Sequence, residues 1–91
     1  MSQIDRYIKE RSIRSPEFAK LAKQEKFNLE AAVAVRTLRE QLVMTQREFA
    51  EYVGKTQPTV ARIEAGSSNV RVKTLQDIAM AADKHLKIKF V

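Results

Sequence analysis

The chain has no cysteine. Neither a disulfide framework nor a thiolate metal site can form, and a reducing cytoplasm is the expected location. Its one histidine, His85, stands beside Lys84 and reads as a surface residue. With no second histidine and no cysteine, no metal and no other cofactor is expected. Two glycines and two prolines punctuate 91 residues. That scarcity argues for helices joined by short turns rather than a hairpin-rich sheet, and it leaves no glycine-rich loop to cradle a phosphate. No apolar run is long enough to span a bilayer, so no membrane partner is expected. Met1 to Arg6 contains no apolar h-region, which argues against a secretory signal. No pair of acids is set against a plausible nucleophile, and nothing supports a Ser/His/Asp arrangement. The expectation is a protein that is not an enzyme.

What is present is a balance of 44% apolar and 31% charged residues, enough for one small domain with a modest core. The net charge is +6, from 17 Lys and Arg against 11 Asp and Glu. Such an excess suits a polyanion such as nucleic acid. Acids and bases are mixed in both halves of the chain, so there is no disordered basic tail. No internal repeat is visible.

Helical spacing relates Ile4, Tyr7, Ile8 and Arg11. Ser15-Pro16-Glu17 reads as a helix start, with Ser15 as N-cap and Pro16 at the first helical position. Phe18, Leu21 and Ala22 form its apolar stripe, and Asn28 is the next candidate cap. From Leu29 to Val43, the residues Ala31, Val35, Leu38 and Leu42 fall on one face. Thr45-Gln46-Arg47-Glu48 is a capping-box pattern opening a helix with Phe49, Ala50 and Val53 inward and Gly54 at its end. Thr56 can cap another helix almost at once, with Pro58 in its first turn, Val60 and Ile63 inward, and Gly66 closing it. After a Ser67-Ser68-Asn69 loop, a last helix over about Val72 to Ala82 buries Leu75, Ile78 and Ala79. The period then changes. Leu86, Ile88 and Phe90 alternate with Lys87, Lys89 and Val91, a strand pattern that requires a partner strand.

Two short helices joined by a turn of three or four residues containing glycine make a helix-turn-helix. The second helix of such a unit enters the major groove while the first braces against the phosphates. Val60 and Ile63 would anchor the second helix, which leaves Gln57, Pro58, Thr59 and Arg62 outward near its start. Gln can bond adenine edges, Arg guanine edges, and Thr a base edge or a thymine methyl. Lys55, Ser67, Ser68, Asn69, Arg71 and Lys73 lie in the flanking loops, where phosphate contacts set register. The helix N-terminus at Gln46 is a further place to meet a phosphate. A helical hairpin that binds only protein is the competing reading of the same stretch. Glu64 is expected to bond backbone or a basic neighbour.

The pattern Thr-Gln-x-x-Phe-Ala-x-x-x-Gly from Thr45 to Gly54, then Thr-Gln-x-x-Val-x-x-Ile-Glu-x-Gly from Thr56 to Gly66, resembles the Cro/C1-type (XRE) helix-turn-helix proteins over about residues 31–82. The resemblance implies that Gln46 touches a phosphate and braces Gln57, while Gln57, Pro58, Thr59 and Arg62 face the bases. The chain departs from the family's usual glycine at Val43 and from its usual polar residues at Pro58 and Ala61. Pro58 has no side-chain donor and keeps only a thymine methyl as a contact. With Ser15-Pro16-Glu17-Phe18 in an N-terminal extension and Leu86 to Val91 at the end, the whole chain looks like the HigA-type antitoxins. That resemblance implies a RelE-like ribonuclease toxin (HigB type) as partner, and repression of the chain's own operon. A stand-alone phage-like repressor remains the alternative.

The expected fold is all-α: five or six helices with a Cro/C1-like core and a short C-terminal β-strand. Residues 1–27 would be an N-terminal helical extension, 28–83 the DNA-binding domain and 84–91 the strand. Ile4, Tyr7, Ile8, Ile13, Phe18 and Leu21 either pack on the domain's own core or form the toxin-binding surface. Leu86, Ile88 and Phe90 either pair with a second chain in a homodimer or pack within their own. The expected partners are double-stranded operator DNA, the toxin and a second copy of the chain.

Overall fold

The computed structural model describes Asp5 and residues 16–91. Within these, four helices follow one another: α1 (Pro16–Gln41), α2 (Gln46–Val53), α3 (Gln57–Ala65) and α4 (Val72–Ala81). Of the predicted helix over Ile4 to Arg11 only Asp5, which is helical, is described; the rest of that helix, the Ser15 cap, and Ile4, Tyr7, Ile8 and Ile13 lie outside the described residues. No helix among the described residues is long and apolar enough to cross a membrane.

The predicted break at Asn28 does not occur, and α1 is one helix of 26 residues. A capping Asn bonds the amides of the turn that follows it. Here the Asn28 side chain is used elsewhere: it accepts from Gln24 Nε2 at 3.0 Å and donates through Nδ2 to Asn69 Oδ1 at 3.2 Å. It is buried, at 6% exposure. A buried Asn must find partners, and this one finds them along α1 and across to the loop after α3. The residues around it are helix formers with no glycine or proline to interrupt them.

The core gathers Val35 of α1, Phe49, Ala50 and Val53 of α2, Val60 and Ile63 of α3, and Ile78 of α4. Leu38, Leu42, Met44, Val70 and Leu75 pack against it. Helix α3 is the hub: α1 and α2 both pack on it, and α4 packs on α2. Phe49 and Val60, at 0% exposure, are the largest fully enclosed side chains. These are the positions that helical spacing marked as inward.

The end of α1 carries a strained residue. The amide of Val43 donates to Glu40 O at 3.0 Å and that of Met44 to Arg39 O at 3.2 Å. This paired arrangement closes a helix through a left-handed residue, usually glycine. Here that residue is Val43, with φ of 55° and 87% exposure. A β-branched side chain in this region costs about 1–2 kcal/mol. Nothing is gained in return by so exposed a side chain. Val43→Gly is therefore expected to stabilise the domain by about 1 kcal/mol, after allowing for the larger unfolded-state entropy of glycine. A thermal melt followed by circular dichroism would show the midpoint rising by about 4–8 °C. An unchanged or lower midpoint would mean that the turn carries no strain.

The predicted C-terminal strand is absent. Residues 84–91 are neither helix nor strand, and the described residues contain no strand at all. The alternating pattern supplies one strand, and the described chain offers no second strand to satisfy its amides and carbonyls. Leu86 is half-buried in a groove with Val35, Leu38 and Ile78 between α1 and α4. Ile88 and Phe90 are exposed. The expected count of five or six helices becomes four among the described residues, partly because α1 absorbs two of them.

Candidate nucleic-acid interface

Helices α2 and α3 are joined by Gly54, Lys55 and Thr56. Thr45 and Glu48 form the reciprocal capping box: Glu48 N donates to Thr45 Oγ1 at 3.1 Å and Thr45 N to Glu48 Oε1 at 3.0 Å. The hydrogen bond from the Thr45 amide holds the Glu48 carboxyl below its ordinary pKa, and Thr45's side chain adds to this. Gly54 ends α2 at φ of 71°. A Cβ there would meet nothing within 4 Å, so the position requires glycine for its backbone conformation and not for space. Thr56 then caps α3 by accepting from Thr59 N at 3.3 Å, and Pro58 sits in the first turn, where its missing amide donor is not needed.

With α3 fixed in this way, its start faces outward. Gln57, Pro58 and Arg62 are exposed and Thr59 is half-buried. The Thr59 hydroxyl lies 2.8 Å from that of Thr56. Gln57 Nε2 donates to Gln46 Oε1 at 3.1 Å, so the brace implied by the family resemblance is present. Gln46 in turn lies 3.5 Å from Glu64 Oε1 through its Nε2.

Glu64 anchors this chain of contacts. Its side chain is 2% exposed and takes a two-point hydrogen bond from Arg39: Nε to Oε2 at 2.8 Å and Nη2 to Oε1 at 2.9 Å. Arg39 Nη1 also donates to Met44 O at 2.9 Å. The bond from Glu64 raises the Arg39 pKa further and outweighs the opposing effect of desolvation. Arg36 adds a looser contact at 3.8 Å. The expected basic partner of Glu64 is thus Arg39, 25 residues earlier in the chain. The sequence reading did not single out Arg39. A signal existed: Arg39 falls on the same stripe of α1 as Val35 and Leu42, which is a core position for a charged residue.

Arg62 and Arg71 line one concavity with Thr59, Ser68 and Asn69. No acid among the described residues forms an ion pair with either. Two other candidate phosphate contacts are already engaged. Lys55 Nζ meets Asp77 Oδ2 at 2.9 Å, and Lys73 Nζ meets Asp77 Oδ1 at 3.2 Å. Lys55 first, then Lys73, holds the Asp77 carboxyl below its usual range. A phosphate would have to compete with Asp77 for both ammonium groups. Ser67 and Asn69 are exposed and Ser68 is half-buried. Of the candidate toxin-binding residues that are described, Phe18 is half-buried and Leu21 is 64% exposed.

The sequence profile of the helix-turn-helix family matches residues 35–88, more than half of the chain. No curated protein and no solved structure matches it. The matched segment spans all of α2, α3 and α4, the Gly54 turn and the Arg39–Glu64 pair, and the chain belongs to the Cro/C1-type helix-turn-helix family of DNA-binding transcription regulators.

Proposed function

We propose that the chain is the antitoxin of a toxin–antitoxin pair: it binds a small ribonuclease and represses its own operon as a two-fold dimer. The observation that carries the DNA half is the outer face of α3. Gln57 is held in place by Gln46, and Arg62 projects without a carboxylate partner among the described residues. Gln57, Thr59 and Arg62 read base edges, and Pro58 touches a thymine methyl. Gln46, the 67–69 loop and Arg71 hold phosphates and set the register. Lys55 and Lys73 join them by exchanging Asp77 for the backbone. Two copies related by a two-fold axis read half-sites about one helical turn apart.

The antitoxin half is supported by the HigA-like arrangement of the whole chain. It is also supported by apolar residues on α1 ahead of the matched family segment: Leu21, Leu29 and Val33 are 64%, 50% and 63% exposed. A partner that covers these side chains would bury them together.

Purification of tagged protein from its native cells, with nuclease treatment, tests this directly. The expected result is stoichiometric recovery of a small basic protein that cleaves RNA when freed. Recovery of the chain alone, still able to shift its own promoter DNA, would leave a stand-alone repressor.

A further inference from the structure

Helix α1 begins well before the helix-turn-helix, and its first half runs beside the loop that follows α3. The side chains of Lys20, Lys23, Gln24 and Phe27 line a groove whose other wall is Asn69 and Val70. Asn69 and Val70 also line the concavity that holds Arg62 and Arg71. The loop is therefore a ridge with two cations on each side. It is fastened to α1 by the relay from Gln24 through Asn28 to Asn69.

Lys20 and Lys23 are exposed and form no ion pair among the described residues. Lys26, the next lysine on α1, is paired with Asp5 at 3.1 Å. Two ammonium groups three residues apart on a helix repel each other. No carboxylate among the described residues meets their charge.

We infer that Lys20 and Lys23 form a second phosphate-binding site, which takes the DNA backbone flanking the sequence read by α3. The inference rests on α3 being the helix that enters the groove. The geometry then sets the direction. With the 67–70 loop on the phosphates at the edge of the half-site, the groove on its far side faces the next stretch of backbone. Lys23 and Lys20 lie five and eight residues ahead of the Asn28 anchor, or about 8 and 12 Å along α1. A duplex carries one charge per ~1.7 Å of its axis, so that reach passes several phosphates. The consequence is a footprint wider than the helix-turn-helix alone would leave.

The test compares the full chain with the Lys20→Gln/Lys23→Gln double variant. Both sites are exposed, and matching thermal melts establish that the variant folds. The probe is a duplex selected from a random library for tightest binding by the parent protein. It is used once with about one helical turn of flank on each side of the two half-sites and once trimmed to those half-sites. The expected result is about a tenfold loss by the variant on the flanked duplex, with the slope of log affinity against log salt shallower by about 2 per protomer. On the trimmed duplex the two proteins bind alike. Equal binding on the flanked duplex would overturn the inference and leave the role of α3 intact. Equal losses on both duplexes would also overturn it, since the lysines would then not act on the flanks. A parent protein that enriches no duplex would overturn this inference together with the reading of α3.

Discussion

Glu64→Ala is expected to cost about 3–5 kcal/mol, the usual penalty for removing one partner of a buried ion pair. A domain of this size is stable by only about 5–14 kcal/mol in total. The loss is large because of what it leaves behind. Arg39 is 16% exposed at its side chain and would retain a single acceptor, the carbonyl of Met44. A guanidinium that is mostly shielded from solvent and stripped of its carboxylate keeps little water, and only the more distant charge of Glu40 remains to offset it. Arg36 cannot substitute on the other side of the pair. Its contact with Glu64 is 3.8 Å long, from a side chain that is 61% exposed, and such exposed pairs contribute little. Glu64→Gln keeps the shape and one acceptor oxygen but removes the charge, so it should fall between the wild type and the alanine variant. Urea denaturation read by circular dichroism gives both values. A loss under about 1 kcal/mol for Glu64→Ala would show that the pair contributes no more than a surface contact.

Arg62→Ala is expected to weaken binding to the preferred duplex by about 1–3 kcal/mol, which is the discrimination attached to a well-placed two-point contact with guanine. The side chain has no internal role to lose apart from a favourable position in the last turn of α3, worth a few tenths of a kcal/mol. Folding should therefore be nearly unchanged. Binding to random-sequence duplex should weaken far less than binding to the selected one. Equal losses on the two would reassign Arg62 to a phosphate, where it would add affinity without reading sequence.

The centre of the fold was legible in the sequence because its determinants are local. A capping box spans four residues, a left-handed glycine is marked by its own identity, and the inward positions of α2, α3 and α4 repeat at helical spacing. The candidate base-reading face followed, since it is what remains outside once Val60 and Ile63 point in. Contacts between distant residues were harder to read. Asn28 looked like a cap because short-range preference favours one there, yet its bond to Asn69 crosses 41 positions. The Arg39–Glu64 pair spans 25. Lys55 and Lys73 looked available to phosphate until the fold brought both to Asp77. At the C-terminus the alternation of Leu86, Ile88 and Phe90 stated a preference for strand, but a strand exists only where another chain segment completes its hydrogen bonds.

The central claim is that α3 reads DNA sequence, and it is tested most directly by titrating the protein against a selected duplex and a random one at two salt concentrations. The account predicts binding to the selected duplex at least about 10³ tighter than to the random one, with both affinities falling steeply as salt rises. Equal affinity for the two duplexes, or an affinity that does not move with salt, would contradict it.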